Sequence, residues 1–162
     1  MVSEQRDSPD PAPFVTAQDS VYNDVRDELR AGRKQSHWMW FIFPQLAGLG
    51  HSATARLFAI SSTEEAGAFL AHPLLGPRLR ECTQLVNSID GRSARQIFGD
   101  PDDLKFRSSM TLFASAAADN EVFLEALRKY FAGEPDARTL DLLRTQIGLN
   151  GQSRKTPPAV AP

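Results

Sequence analysis

The residues with the most chemical potential fall in two short stretches. The first is Lys34-Gln-Ser-His-Trp-Met-Trp-Phe-Ile-Phe-Pro-Gln45. His37 is its one side chain with an ordinary pKa near neutrality. Trp38 and Trp40 offer indole faces that can stack on a base or a sugar, and N–H groups that need a partner when buried. Lys34, with Arg33 before it, would feed cations toward a helix N-terminus, where free backbone N–H groups favour an anion. The second stretch is Asp100-Pro-Asp-Asp-Leu-Lys-Phe-Arg-Ser-Ser-Met-Thr111. Lys105, Ser108 and Ser109 could present donors to a phosphate or carboxylate. Asp103 could orient His37 or stabilise charge, which makes His37 and Asp103 the candidate catalytic pair.

Each group also has a purely structural role open to it. If the first stretch is helical, His37, Trp40 and Phe41 share one side, Trp38 and Ile42 another, and Met39 and Phe43 a third. A helix apolar all round is buried all round, so this segment reads first as a central core helix. The cations of Arg33 and Lys34 complement the dipole of the preceding helix. Asp103 and Arg107 are spaced to pair along their helix, a contribution of only about 0.3–0.5 kcal/mol if exposed. Serines and threonine inside a helix run against propensity, and close packing against small residues would offset that as well as a ligand would.

The elements that must position these groups are helical. Phe14, Gln18, Tyr22, Val25 and Leu29 recur at three- and four-residue spacing, which predicts a first helix over 13–31. Ser36 is the expected cap of the aromatic helix, which Pro44 ends. Ser52 caps a short helix. Ser62-Thr-Glu-Glu65 reads as a capping box for the next. Leu79, Cys82, Leu85, Val86 and Ile89 stripe a helix entered at Pro77, with Arg78 at its start calling for an acidic partner. Ser93 opens a turn carrying Ile97 and Phe98. Asp100 is the expected cap of the second motif's helix, with Pro101 in its first position. Helices over 120–132 and from Asp136 complete the chain. No stretch alternates as a strand does. The fold class is therefore all-α, a single multi-helical orthogonal bundle of about seven or eight short helices, held by mutual packing because such helices are marginal alone.

Composition bounds the rest. At 162 residues, with 41% hydrophobic and 23% charged, the chain suits one packed domain without a disulfide staple. Residues 1–12 and 149–162 read as disordered tails and 13–148 as the folded unit. A net charge of −2 gives no generic grip on nucleic acid or anionic membrane. The longest apolar run, Trp38 to Phe43, is far short of a membrane span. One cysteine and no secretion signal point to the cytoplasm. Cys82 and the separated histidines 37, 51 and 72 give no zinc spacing, and no phosphate-binding glycine motif occurs. No metal or cofactor is expected, and oligomeric state stays open.

Three segments resemble a known family. They are Gly32 to Gln45, Ala71-His-Pro-Leu-Leu-Gly-Pro-Arg-Leu79, and Phe98-Gly-Asp-Pro-Asp-Asp-Leu-Lys-Phe-Arg-Ser-Ser-Met-Thr-Leu-Phe113. Together they resemble the bacterial family catalogued as domain of unknown function 1810, over about residues 14–145. Phe58 stands where relatives often carry Tyr, and Phe106 where they often carry Leu. The resemblance implies the all-helical fold of a mycobacterial conserved hypothetical member, and no established activity. Some members carry the label calpastatin, but calpastatin inhibitors are extended chains, whereas this composition is that of a packed domain. Three functions remain in view. The first is binding of a small anionic or nucleotide-like ligand by Lys34, His37, Trp38, Trp40, Lys105, Ser108 and Ser109. The second is a hydrolase or glycosidase using His37 and Asp103. The third is a protein-interaction module without catalysis.

Overall fold

The computed structural model describes residues 10–154. Ten helices lie among them, more than the seven or eight expected, and the chain is all-helical. One extra helix comes from a break, and another from the turn expected after Ser93, which is helical over Ala94–Phe98. The single helix expected over 13–31 is two: α1 (Ala12–Asp19) and α2 (Tyr22–Arg30). The break at Ser20–Val21 lets Phe14 and Gln18 turn inward from α1 while Val25 and Leu29 do so from α2. It also brings the Tyr22 hydroxyl to within 2.6 Å of the Glu81 carboxylate, to which it donates.

The aromatic segment departs further from expectation. Only Met39–Ile42 is helical (α3), and Ser36 caps nothing. The Ser36 hydroxyl and the Trp38 indole N–H are both drawn to Glu28, and the Lys34 N–H donates to the Ile97 carbonyl at 2.7 Å. These bonds hold the preceding loop out of helical register. Trp38, Met39, Ile42 and Phe43 are buried as a core segment would be, but Trp40 and Phe41 are only half-buried and His37 is exposed.

The remaining helices are capped much as the sequence reads. In α4 (Ala53–Leu57), Ser52 Oγ accepts from the Ala55 N–H at 3.0 Å. In α5 (Thr63–Ala71), Ser62 Oγ accepts from the Glu65 N–H at 3.0 Å, while the Glu65 carboxylate turns to Ser61 instead of closing the box on Ser62. A single parallel bridge, Leu46 to Ile60, ties the two ends of the α3–α5 loop region together. α6 (Leu75–Asn87) starts two residues before Pro77 and passes very close to α5. A Cβ on Gly76 would lie 1.9 Å from the Leu70 carbonyl oxygen, so only glycine fits. α7 (Ala94–Phe98) carries a full capping box between Ser93 and Gln96.

α8 (Asp102–Ala116) carries the second motif, and its start is a correction. Asp100 does not cap it, the Asp100–Pro101 bond is cis, and Asp102 and Asp103 occupy the first turn. Asp100 lies instead 3.8 Å from Arg95. α9 (Glu121–Phe131) and α10 (Ala137–Arg154) follow. Asp136 does what its position suggests, accepting from the Thr139 N–H at 2.9 Å. The expected N-terminal tail lies mostly outside the described residues, as does the end of the C-terminal one. α8 is the central element, packed by α5, α7, α9 and α10. Phe106, fully buried, stacks on Phe98 at 4.7 Å and meets Phe43 edge-on at 5.0 Å between centroids. That aromatic contact fixes the first motif against the second.

Candidate functional site

The two motifs meet, and an ion triad joins them. Lys34 Nζ lies 2.9 Å from one oxygen of Asp102, and Lys105 Nζ lies 3.3 Å from the other. Each ammonium also sits over an indole: Lys34 is 5.2 Å from the Trp38 ring centroid, and Lys105 is 5.2 Å from that of Trp40. Asp102 reaches both lysines because it opens α8, where a carboxylate also complements the helix dipole. The Lys34 side chain is only 9% exposed, so its charge depends on that partner.

Beneath the triad, Glu28 of α2 organises the loop. Its Oε1 accepts from the Gln35 N–H at 2.8 Å, the Ser36 N–H at 3.0 Å and the Trp38 indole N–H at 2.8 Å, and its Oε2 accepts from the Ser36 hydroxyl. Burial pushes the Glu28 carboxyl up, but the bonds from Ser36, Gln35 and Trp38 outweigh it and hold the group below its usual 4.5. The N–H groups of Gln35 and Ser36 are thus taken by the protein's own Glu28, and no helix N-terminus follows Lys34 directly, since α3 starts only at Met39. The Trp38 indole, 1% exposed, has its donor satisfied by Glu28.

The other candidates are placed as follows. His37 is exposed on the loop between Glu28's donors and Trp38. Among the described residues no hydrogen bond or ion pair joins it to Asp103. One oxygen of Asp103 is buried without a partner. Asp103 does not pair with Arg107, which instead faces Glu134 at 3.6 Å and lies over the Phe131 ring. Ser108 is buried and donates to the Leu104 carbonyl of its own helix at 3.1 Å. Ser109 is fully buried, with its hydroxyl unpartnered. Both serines are therefore buried within the packing of α8, whereas Lys105 and Trp40 are half-buried.

Sequence reasoning missed Glu28 and singled out no role for Asp102. A buried tryptophan requires an acceptor, and that was the signal that could have led to Glu28. Nothing in the pattern of α2, which mixes acidic and basic residues, marks Glu28 apart from Asp24 or Asp27. Arg78 finds its acidic partner within the protein, Asp19 at 3.1 Å, and stacks on Tyr22. Cys82 is buried, and its thiol is pushed up to about 12 by desolvation. Among the described residues no group of three or more His, Cys, Asp or Glu could hold a metal ion. None of the described helices is long and apolar enough to cross a membrane.

The fold is all-helical, with an ion triad of two lysines on one carboxylate where two motifs meet, and the family follows from comparison. The chain belongs to the DUF1810 family, a protein of unknown function, whose model matches residues 10–143. It is similar to the conserved hypothetical protein Rv1873 from Mycobacterium tuberculosis, at 59% identity with a TM-score of 0.82 over 83% of this chain and 99% of that one. No curated protein matches the chain.

Proposed function

We propose that the domain binds a small anionic ligand with a flat, stackable group, of nucleotide-like chemistry, at the open edge of the motif junction. The observation that carries this reading is the shared carboxylate. Lys34 and Lys105 both converge on Asp102, so the triad holds two ammonium groups against one carboxylate beside a half-buried indole. An ammonium has three donors, and an anion at the edge would take those that Asp102 leaves. Lys105, the more accessible lysine, would make the primary contact, with Lys34 behind it. Trp40 would carry the flat group, and His37 would add a donor from the rim.

Trp38, Ser108 and Ser109 form the frame in this reading, not the contact surface. The hydrolase or glycosidase alternative has no comparable observation behind it, since His37 and Asp103 are not joined. A buried lone cysteine and a net charge of −2 support a cytoplasmic protein without generic nucleic-acid binding.

A thermal-shift panel of nucleotides, sugar phosphates and ADP-ribose derivatives tests the proposal. A ligand at about 100 times its Kd adds about 2.7 kcal/mol, which for a domain of this size raises Tm by roughly 8 °C. Lys105→Met and Trp40→Ala should remove most of that shift. A panel with no stabilising compound, or a shift that survives both substitutions, overturns it.

A further inference from the structure

A second polar groove lies at the C-terminal end of α6, where it faces α9. It is an open depression of about 330 Å³ lined by Gln84, Asn87, Ser88 and Glu125. Asn87 and Ser88 already direct a donor to the protein, while the exposed Gln84 brings a side-chain amide that can both donate and accept. Asn87 is only 9% exposed, and its Nδ2 donates to the Val122 carbonyl at 3.0 Å, which leaves its buried Oδ1 without a partner. The Ser88 hydroxyl donates to the Gln84 carbonyl at 2.9 Å, so its oxygen lone pairs remain. Glu125 can only accept when ionised. The cations one turn further along α9 are engaged by the protein, Lys129 at the groove's own rim. Arg128 pairs with Glu121, and Lys129 donates to the Asn87 carbonyl at 2.6 Å and faces Asp90 at 3.4 Å. The end of α6 adds the negative pole of a helix dipole.

We infer that this groove binds an organic cation, a guanidinium or primary ammonium group. Such a group is rich in donors and accepts nothing, which matches the free acceptors of Asn87, Ser88 and Gln84 around one carboxylate. Glu125 supplies the charge partner, and Asn87 Oδ1 and Ser88 Oγ supply the hydrogen-bond acceptors that set orientation. Beside it, sharing Ser88, lies a hollow of about 390 Å³ whose wall holds Leu85 and Ile89 together with Arg30, Asp90 and Arg92, and the aliphatic stem of such a cation would lie along its apolar side. The site is separate from the anionic-ligand edge proposed above and stands or falls independently of it.

The test is a titration of the full chain with agmatine, followed by ¹H–¹⁵N NMR. Shifts should concentrate at Gln84, Ser88, Glu125 and the Asn87 side-chain amide. Glu125→Gln should weaken binding about tenfold, the loss of one charge-assisted hydrogen bond, while Glu64→Gln on α5 should leave it unchanged. Glu125 is exposed, so its substitution does not threaten folding. No shift at these residues up to about 10 mM agmatine, the weak limit of specific binding, overturns the inference. So does equal weakening by both substitutions, which would mark diffuse attraction to surface carboxylates.

Discussion

Replacing Glu28 with alanine removes the acceptor of four hydrogen bonds at once. The Trp38 indole N–H would be left unpaired in a site where the ring is 1% exposed, at a cost of about 1–3 kcal/mol. Gln35 is exposed and Ser36 half-buried, so water can replace the bonds they lose, for about 0.5 kcal/mol each. The expected loss is therefore about 2–4 kcal/mol, because such terms overlap when bonds share one acceptor. Glu28→Gln keeps one oxygen but surrenders the charge and places an amide against the Ser36 hydroxyl, for about 1–2 kcal/mol. Urea denaturation followed by far-UV circular dichroism and tryptophan fluorescence measures both. The pH dependence has a definite sign. The folded-state carboxyl lies below its unfolded value of 4.5, so its contribution is fully present above that pH and is lost as pH falls through the folded value. The gap between wild type and Glu28→Gln should stay constant from about pH 5 to 8 and narrow below. An alanine variant within about 0.5 kcal/mol of wild type, or a gap that does not narrow in acid, would refute the role given to Glu28.

Other consequences follow from the same contacts. Asp102→Asn strands the Lys34 ammonium, 9% exposed, and should cost about 3 kcal/mol, while a double-mutant cycle with Lys34→Met should return a coupling of at least about 1 kcal/mol. A coupling near zero by urea denaturation would mean the pair is incidental. Gly76→Ala places a methyl carbon 1.9 Å from the Leu70 carbonyl oxygen and should destabilise by more than about 3 kcal/mol. A variant with near-native Tm would show that α5 and α6 separate easily. Cys82, buried with its thiol raised to about 12, should react with iodoacetamide at neutral pH only after unfolding. A native-state rate close to that of the denatured chain would contradict its burial.

The fold class was legible because it rests on local signals. Caps at Ser52, Ser62, Ser93 and Asp136 mark starts that the structure keeps, and the stripe through Leu79, Cys82 and Val86 marks a buried face. What failed depends on partners distant in sequence. The 13–31 pattern reads as continuous because nothing local reveals that Gln18 donates to the Phe41 carbonyl at 2.8 Å. The aromatic run reads as a helix because its propensity is local, whereas Glu28 and Ile97 hold its approach in an extended loop. At the candidate site, sequence identified Lys34, Trp40 and Lys105 as groups worth bringing together. It could not show that Glu28 and Asp102 occupy the anion positions from within, nor that both serines face the packing. Spacing along one helix says which face a residue shares, and only tertiary packing says which face is covered.

The most direct measurement distinguishes the two indoles. Titration with the most stabilising compound of the panel, observed at the tryptophan side-chain N–H resonances, should shift Trp40 together with the amides around Lys105. The Trp38 resonance should stay nearly still, held by Glu28. Movement of Trp38 with Trp40 unchanged, or shifts confined to residues away from Lys34, Trp40 and Lys105, would contradict the proposed edge as the binding site.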